Sequence, residues 1–317
     1  MVAAEAGATD LVGAYPGTDL AALQTAFDRA AHFGLKLSTI ERLWPHDKIV
    51  HNKPGREQQI EDTKQLIRNM GATGVQVLCY NWMPADDWSR TSTETPTRGG
   101  SLVTAFDIQA KEAALDSGAA DYRAGLPEEP TSADALWANL ESFLKEVLPV
   151  AEEAGVVLAM HPDDPPMPEF RGNPQIMTST EAMVKCAELV PSPSNGLCYC
   201  QGTFASAGED IPSGIKRCAP YIKYVHFRDV TGSVKPEDGQ AFTETWHDMG
   251  KTNMVSAIET YYACGLRDIP IRPDHVPTMD GETNDHPGYE MLGRLWALGY
   301  MKGLMESAAH TGVAAAQ

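Results

Sequence analysis

The chain has 317 residues, 43% apolar and 21% charged, enough for a sizeable core and within the range of a one-domain α/β barrel. Its 43 acids against 25 bases give a net charge of −18, a field that repels phosphate backbones and argues against a nucleic-acid partner. No stretch reaches the ~20 apolar residues of a membrane span, the N-terminus lacks a secretory pattern, and six cysteines without a CxxC pair suit reduced thiols in the cytoplasm.

Short apolar, β-branched runs alternate with longer segments of helical spacing. DLVGAY (10–15) opens the pattern as a strand. Thr18 is the expected N-cap of a helix that sets Leu20, Leu23, Phe27 and Ala30 on one side, with Gly34 ending it. The strand KLSTIER (36–42), a helix over 56–70 and the strand VQVLCYN (75–81) follow. Residues 132–154 place Leu136, Leu140, Phe143, Leu144, Val147, Leu148 and Ala151 three and four apart, an amphipathic helix closed by Gly155. The strands VVLAMHP (156–162), GLCYCQG (196–202), YVHFRDV (224–230) and IPIRPDH (269–275) complete the set, with helices over 178–190, 210–219, 253–264 and 287–308. Near-continuous apolar runs suit strands covered on both faces, as in a parallel sheet. Repeated βα units mean a doubly wound sheet or a TIM (β/α)8-type barrel. No GxGxxG follows the first strand, so the barrel is favoured, although seven strands rather than eight are visible.

Chemistry in a barrel gathers at the C-terminal strand ends. VVLAM ends in His161, GLCY in Cys200, KYV leads to His226, and IPIRP leads to Asp274 with His275 beside it. Taken singly, a strand-end histidine is more often structural, Cys200 a small buried hydrophobe and Asp274 a helix cap. Four successive strands that each deliver a ligand-type side chain at the same end point to one divalent-cation site. The run MHPDDPP (160–166) adds two acids fenced by prolines. Asp163 and Asp164 either cap a stiff turn or orient His161 or a substrate hydroxyl.

The segment YNWMPADDWSRTSTETPTRGG (80–100) is rich in Trp, Arg and hydroxyls, as a carbohydrate-binding rim would be; a solvated surface loop is its plain alternative. Asn81, Trp82 and Arg90 are its candidate substrate contacts. Arg228, two residues past His226, points to the same side of its strand, to meet substrate or to form an ordinary ion pair. His286, in NDHPGYE, precedes the last helix and is a further candidate at the mouth. His46, His51 and His247 fall in loops, with no assigned role.

The runs AMHPDDPP, NGLCYCQGT, VHFRDV, IRPDH, LIRNMGATGVQVLCYNWMP and DWSRTST resemble the mannonate dehydratases, and the likeness runs from about residue 36 to 303. The resemblance implies a xylose-isomerase-like TIM barrel, one catalytic domain over 1–317, and dehydration of D-mannonate to 2-keto-3-deoxy-D-gluconate in hexuronate catabolism. It implies a divalent metal, Mn2+ or Fe2+ first, with Zn2+, Co2+ and Mg2+ as alternatives. It places the ligands on His161, Cys200, His226 and Asp274, the acid/base pair on His275 and Tyr289, and substrate contacts around Arg228 and Arg90. Of that pair, His275 is the better base near neutral pH, because its ordinary pKa lies closer. By the same likeness, AEAGATDLVGAY corresponds to the end of a first helix and a second strand, so the first strand is expected to be missing. The alternative is a metal-dependent sugar isomerase or epimerase on the same barrel. Cys200 and RPDH favour the dehydratase, because such isomerases more often use Glu and Asp ligands. A barrel that has become a sugar-acid sensor is a third reading. The expected partner is a small sugar acid, with no membrane partner; self-association is left open.

Overall fold

The computed structural model describes residues 1–41, 45–85, 88–110, 115–117 and 129–310. All seven expected strands are present: β1 (Asp10–Gly13), β2 (Lys36–Glu41), β3 (Val77–Tyr80), β4 (Val157–Met160), β5 (Asn195–Cys200), β6 (Ile222–Phe227) and β7 (Ile271–Pro273). They lie in one sheet in the order β1 to β7. The pairs β1·β2, β2·β3, β3·β4, β4·β5 and β6·β7 run parallel. Every residue of β3 and β5 is buried, which is why these strands read as unbroken apolar runs. Residue 42, placed in the second strand from sequence, lies outside the described residues. The last strand, expected over 269–275, is shorter and spans Ile271–Pro273.

The chain divides into two compact units. The first comprises Met1–Asp87, Gly118–Asp163 and Pro168–Cys198. Its long helix Ala133–Ala154 buries the whole expected stripe from Leu136 to Ala151. Ser132 accepts from Ala135 N at its start, and Gly155 ends it at φ +67°. Against it lies the helix Arg56–Thr73. A Cβ on Gly71 would stand 2.5 Å from the Ala154 carbonyl oxygen, so this close approach requires glycine. The helix after β1 ends as expected, at Gly34 with φ +71°, but differs from expectation at its start. It spans Leu20–His32, and its cap is Asp19, whose carboxylate accepts from Ala21 N at 2.9 Å, not Thr18. A charged acceptor there also complements the helix dipole. Leu20 is left 44% exposed, whereas Leu23 is wholly buried.

The second unit comprises Trp88–Ser117, Asp164–Met167 and Tyr199–Gln317. It holds the helices Gln201–Ser206, Ile211–Cys218, Met254–Ala263 and Met291–His310. It also holds a four-stranded antiparallel sheet, in the order Val230–Ser233, Ala241–Glu244, Leu102–Asp107, Ser92–Pro96, which the sequence pattern did not announce. In Ala241–Glu244 the two buried positions are Phe242 and the charged Glu244, so the alternation of apolar residues that marks a strand is absent. The segment 80–100 is likewise not a plain loop, since it contains the strands Trp88–Arg90 and Ser92–Pro96. Residues 86 and 87 of that segment lie outside the described residues. Among the described residues, no helix is long and apolar enough to cross a membrane.

Candidate active site

In the second unit, Cys200 closes β5, His226 stands one residue before the end of β6, and Asp274 and His275 follow β7. The β6·β7 register aligns His226 with Arg272, and the Phe227 carbonyl accepts from Asp274 N at 3.1 Å. Cys200, His226 and Asp274 are all buried. A ring nitrogen of His226 and Sγ of Cys200 lie within 4.8 Å of each other, and His226 Nδ1 is 3.4 Å from Asp274 Oδ2. Thr203 donates its hydroxyl hydrogen to Cys200 Sγ at 3.1 Å. Burial alone would raise the Asp274 pKa. His275, Arg272, His226 and Arg228 outweigh it and hold the carboxyl well below its ordinary range. A buried thiol, imidazole and ionised carboxylate at this separation fit a divalent cation that accepts both sulfur and nitrogen.

His275 lies at φ +39°, a region that few non-glycine residues adopt. Backbone strain of this kind costs about 1–3 kcal/mol and gathers at functional sites. The strained turn is held by Val276 N, which donates to the Gly288 carbonyl at 2.8 Å. The ring of His275 bridges two groups. Nδ1 is 2.9 Å from Glu244 Oε1, and Nε2 is 2.9 Å from the Tyr289 hydroxyl. Glu244 is ionised, its carboxyl lowered to about 2: burial opposes the charge, and Arg228, His275 and Arg90 overcome it. An ionised carboxylate has no proton to give, so Nδ1 carries the hydrogen. The short approach of Arg90 Nη2 to the same Nδ1, 3.3 Å, follows from both groups pointing at Glu244. Burial lowers the His275 pKa, which favours the neutral ring. In that form Nε2 accepts from the Tyr289 hydroxyl. Trp88 packs on this pair, 4.9 Å from the His275 ring and edge-on to Tyr289 at 6.0 Å.

Below the pair runs a buried network of two arginines and two carboxylates. Arg90 donates to both oxygens of Asp164, at 2.8 and 3.0 Å, and to Glu244 at 2.6 Å. Arg228 donates to both oxygens of Glu244, at 2.8 and 3.0 Å, to Asp164 at 2.8 Å and to the Thr203 hydroxyl at 2.9 Å. Burial disfavours the Asp164 charge, yet Arg90 and Arg228 drive its carboxyl far below the ordinary range. Arg90 and Arg228, expected as substrate contacts, therefore direct their hydrogens at carboxylates. Glu244, Asp164, Thr203 and Trp88 were not assigned to the site from sequence. Asp164, Trp88 and Thr203 stand in the quoted runs MHPDDPP, DWSRTST and NGLCYCQGT, whereas Glu244 carried no signal.

The first unit holds the other candidates. His161 follows β4 and is half-buried, and its Nδ1 lies 2.7 Å from the Pro162 carbonyl. That contact assigns the ring hydrogen to Nδ1 and the lone pair to Nε2. Asp163 accepts from Met177 N at 2.7 Å and closes its loop. Asn81 accepts from Met83 N at 3.2 Å, a local turn. Trp82 is not a rim residue. It is wholly buried, donates Nε1–H to the Leu136 carbonyl at 3.1 Å and packs on Phe143 at 5.5 Å. In the second unit, His286 is exposed, and its backbone N–H donates to Glu290 Oε1.

His247, which had no role from sequence, is fully buried, and its Nε2–H donates to the Phe227 carbonyl at 2.7 Å. Burial lowers its pKa from 6.5 to about 4. The unfolded chain therefore binds a proton that the folded protein refuses between these values. Stability is complete above pH 6.5 and declines as pH falls toward 4. The loss should reach roughly 3 kcal/mol. Urea unfolding of the parent and of His247→Phe, followed over this range, should show a shallower decline in the variant. Parallel declines would contradict the assignment.

Comparison with known proteins gives a consistent picture. Residues 4–314 match the family model described as D-mannonate dehydratase (UxuA). A mannonate dehydratase of Streptococcus suis (strain 05ZYH33) is 35% identical over 306 residues, covering 86% of this chain and 78% of that protein. The crystal structure of mannonate dehydratase from Streptococcus suis serotype2 superposes with a TM-score of 0.83 at 31% identity, over 98% of this chain and 90% of that one. A xylose isomerase-like TIM barrel protein from Mycobacterium smegmatis, solved in complex with magnesium, gives a TM-score of 0.59 at 13% identity, over 99% and 87% of the two chains. This last likeness shows the fold alone, a TIM barrel of the xylose-isomerase-like kind.

Proposed function

The chain belongs to the D-mannonate dehydratase family, and we infer that it is a hydro-lyase converting D-mannonate to 2-keto-3-deoxy-D-gluconate and water. The observation that carries this reading is the row Glu244–His275–Tyr289 beside Cys200, His226 and Asp274. A dehydration needs such a pair of proton-carrying groups. The C2–H and C3–O bonds break, a C2=C3 bond forms, and the C3 hydroxyl leaves as water; the enol then gains a proton at C3 and loses the one on its C2 oxygen to give the 2-keto acid. His275 Nε2 and Tyr289 Oη share one proton in the resting site. One of the two groups receives the C2 proton, and the other delivers a proton to the departing hydroxyl. Glu244 holds the imidazole by Nδ1–H, keeping Nε2 turned to Tyr289, and it stabilises the ring whenever it carries two protons. Arg90 and Arg228 fix Glu244 and Asp164 before substrate arrives, so little reorganisation is needed during reaction.

The proposed metal ligands are Cys200, His226 and Asp274, with His161 from the end of β4. When bound, a divalent ion, Mn2+ or Fe2+ in this reading, supplies Lewis-acid stabilisation of the negative charge that builds as the C2 proton leaves. The six cysteines are not joined in disulfides, which suits a cytoplasmic enzyme of hexuronate breakdown. The test is a panel of hexonates incubated with the protein and each of Mn2+, Fe2+, Zn2+, Co2+ and Mg2+, read by product mass. D-mannonate should lose water to a 2-keto-3-deoxy acid with one of these metals. No loss of water from any hexonate with any of these metals would overturn the reading.

A further inference from the structure

The proton-carrying row ends at Tyr289, and two guanidinium groups lie over that ring. Arg294 Cζ is 5.1 Å and Arg272 Cζ 5.9 Å from its centroid. Arg272 belongs to β7, and its Nη2 pairs with Asp274 Oδ1 at 2.5 Å. Arg294 stands in the first turn of the helix Met291–His310. Among the described residues its guanidinium has no ion pair and no hydrogen bond. The nearby acid Glu290 accepts from His286 N through Oε1. Crowding by protein lowers the Arg294 pKa, and the charge of Arg272 lowers it further, with Tyr289, Asp274 and Glu290 only partly offsetting both. A cation near the positive end of a helix dipole, close to a second cation, is an unfavourable arrangement by itself. It becomes favourable when an anion sits between the two.

We propose that Arg294 and Arg272 bind the C1 carboxylate of the sugar-acid substrate beside Tyr289. The inference rests on the dehydratase reading and adds to it the group that recognises the substrate's charge. C2, which gives up its proton, is one bond from that carboxylate. A carboxylate held over Tyr289 therefore brings C2 to the Tyr289–His275 pair. A guanidinium presents its N–H groups as a fork that matches a carboxylate. These cations also offset the charge that moves onto C1 as the C2–H bond breaks. The bland alternative is that Arg294 is a solvated helix residue without a ligand.

The two can be separated by charge matching. D-mannonate is to be compared with D-mannonamide, which has the same carbon skeleton and no charge, in the metal-loaded parent, Arg294→Met and Arg294→Lys. Arg294 is exposed, so both variants are expected to fold, and circular dichroism checks this. In Arg294→Met the KM for D-mannonate should rise about tenfold or more, whereas the Ki of D-mannonamide stays unchanged. Arg294→Lys, which keeps the charge but not the fork, should fall between. An unchanged ratio of the two constants in Arg294→Met would overturn the inference while leaving the dehydratase reading intact. A parent protein that fails to dehydrate D-mannonate would instead overturn that reading.

Discussion

Replacing His275 with asparagine is expected to lower kcat by about a hundredfold to ten-thousandfold while the bound metal stays in place. The two effects separate because His275 is not among the proposed ligands. It meets Glu244 through Nδ1 and Tyr289 through Nε2, both at 2.9 Å. Asparagine is also one of the few residues that tolerate the φ of +39° found here, so the strained turn should survive. What is lost is a ring that links Glu244 to Tyr289 and can hold a second proton. Cys200→Ala should behave differently and lose metal and turnover together. Steady-state kinetics with D-mannonate, alongside elemental analysis of the purified protein, checks both. A His275→Asn variant with parental turnover would remove His275 from the mechanism.

The largest expected loss of stability follows from Asp164→Ala. This carboxylate accepts two hydrogen bonds from Arg90 and one from Arg228. Without it, Arg90 keeps Glu244 as its carboxylate partner, and Arg228 keeps Glu244 and, at 3.3 Å, Asp274. Breaking a buried pair leaves charge that neither water nor protein solvates, and such changes cost about 3–5 kcal/mol. Asp163→Ala, one residue earlier, should cost less, about 1–3 kcal/mol, because it mainly removes the acceptor for Met177 N. Denaturant midpoints for the two variants give the comparison directly. Equal midpoints would mean that the Asp164 carboxylate adds no more to the fold than the loop contact of Asp163. Asp164→Ala should also reduce turnover, since the same two arginines hold Glu244 against His275.

Much of the site was legible because strand ends are legible. A buried parallel strand writes itself as an apolar run, and a ligand-type side chain stands at or just past its C-terminal end. Reading those ends selected His161, Cys200, His226 and Asp274. His275 and Tyr289 came from family resemblance, because nothing in their spacing marks a pair that meets only in three dimensions. The indoles show the limit most clearly. Trp82 and Trp88 stand in one segment, and composition favours neither. The structure buries Trp82 against Phe143 and lays Trp88 on His275.

Sequence by itself determined the seven strands, the side chains at their ends and the helical stripes, because each is written within one segment, as an apolar run or as a period of 3.6. Tertiary structure alone decided what those side chains meet. Arg90 and Glu244 are 154 positions apart in the chain, and only the fold brings them within hydrogen-bond distance. Glu244 itself is hidden from pattern reading, since it occupies the buried face of a strand where an apolar residue is expected. The two acids of MHPDDPP make the same point at the smallest scale. One accepts from the Met177 N–H and closes a loop, and the other pairs with two arginines.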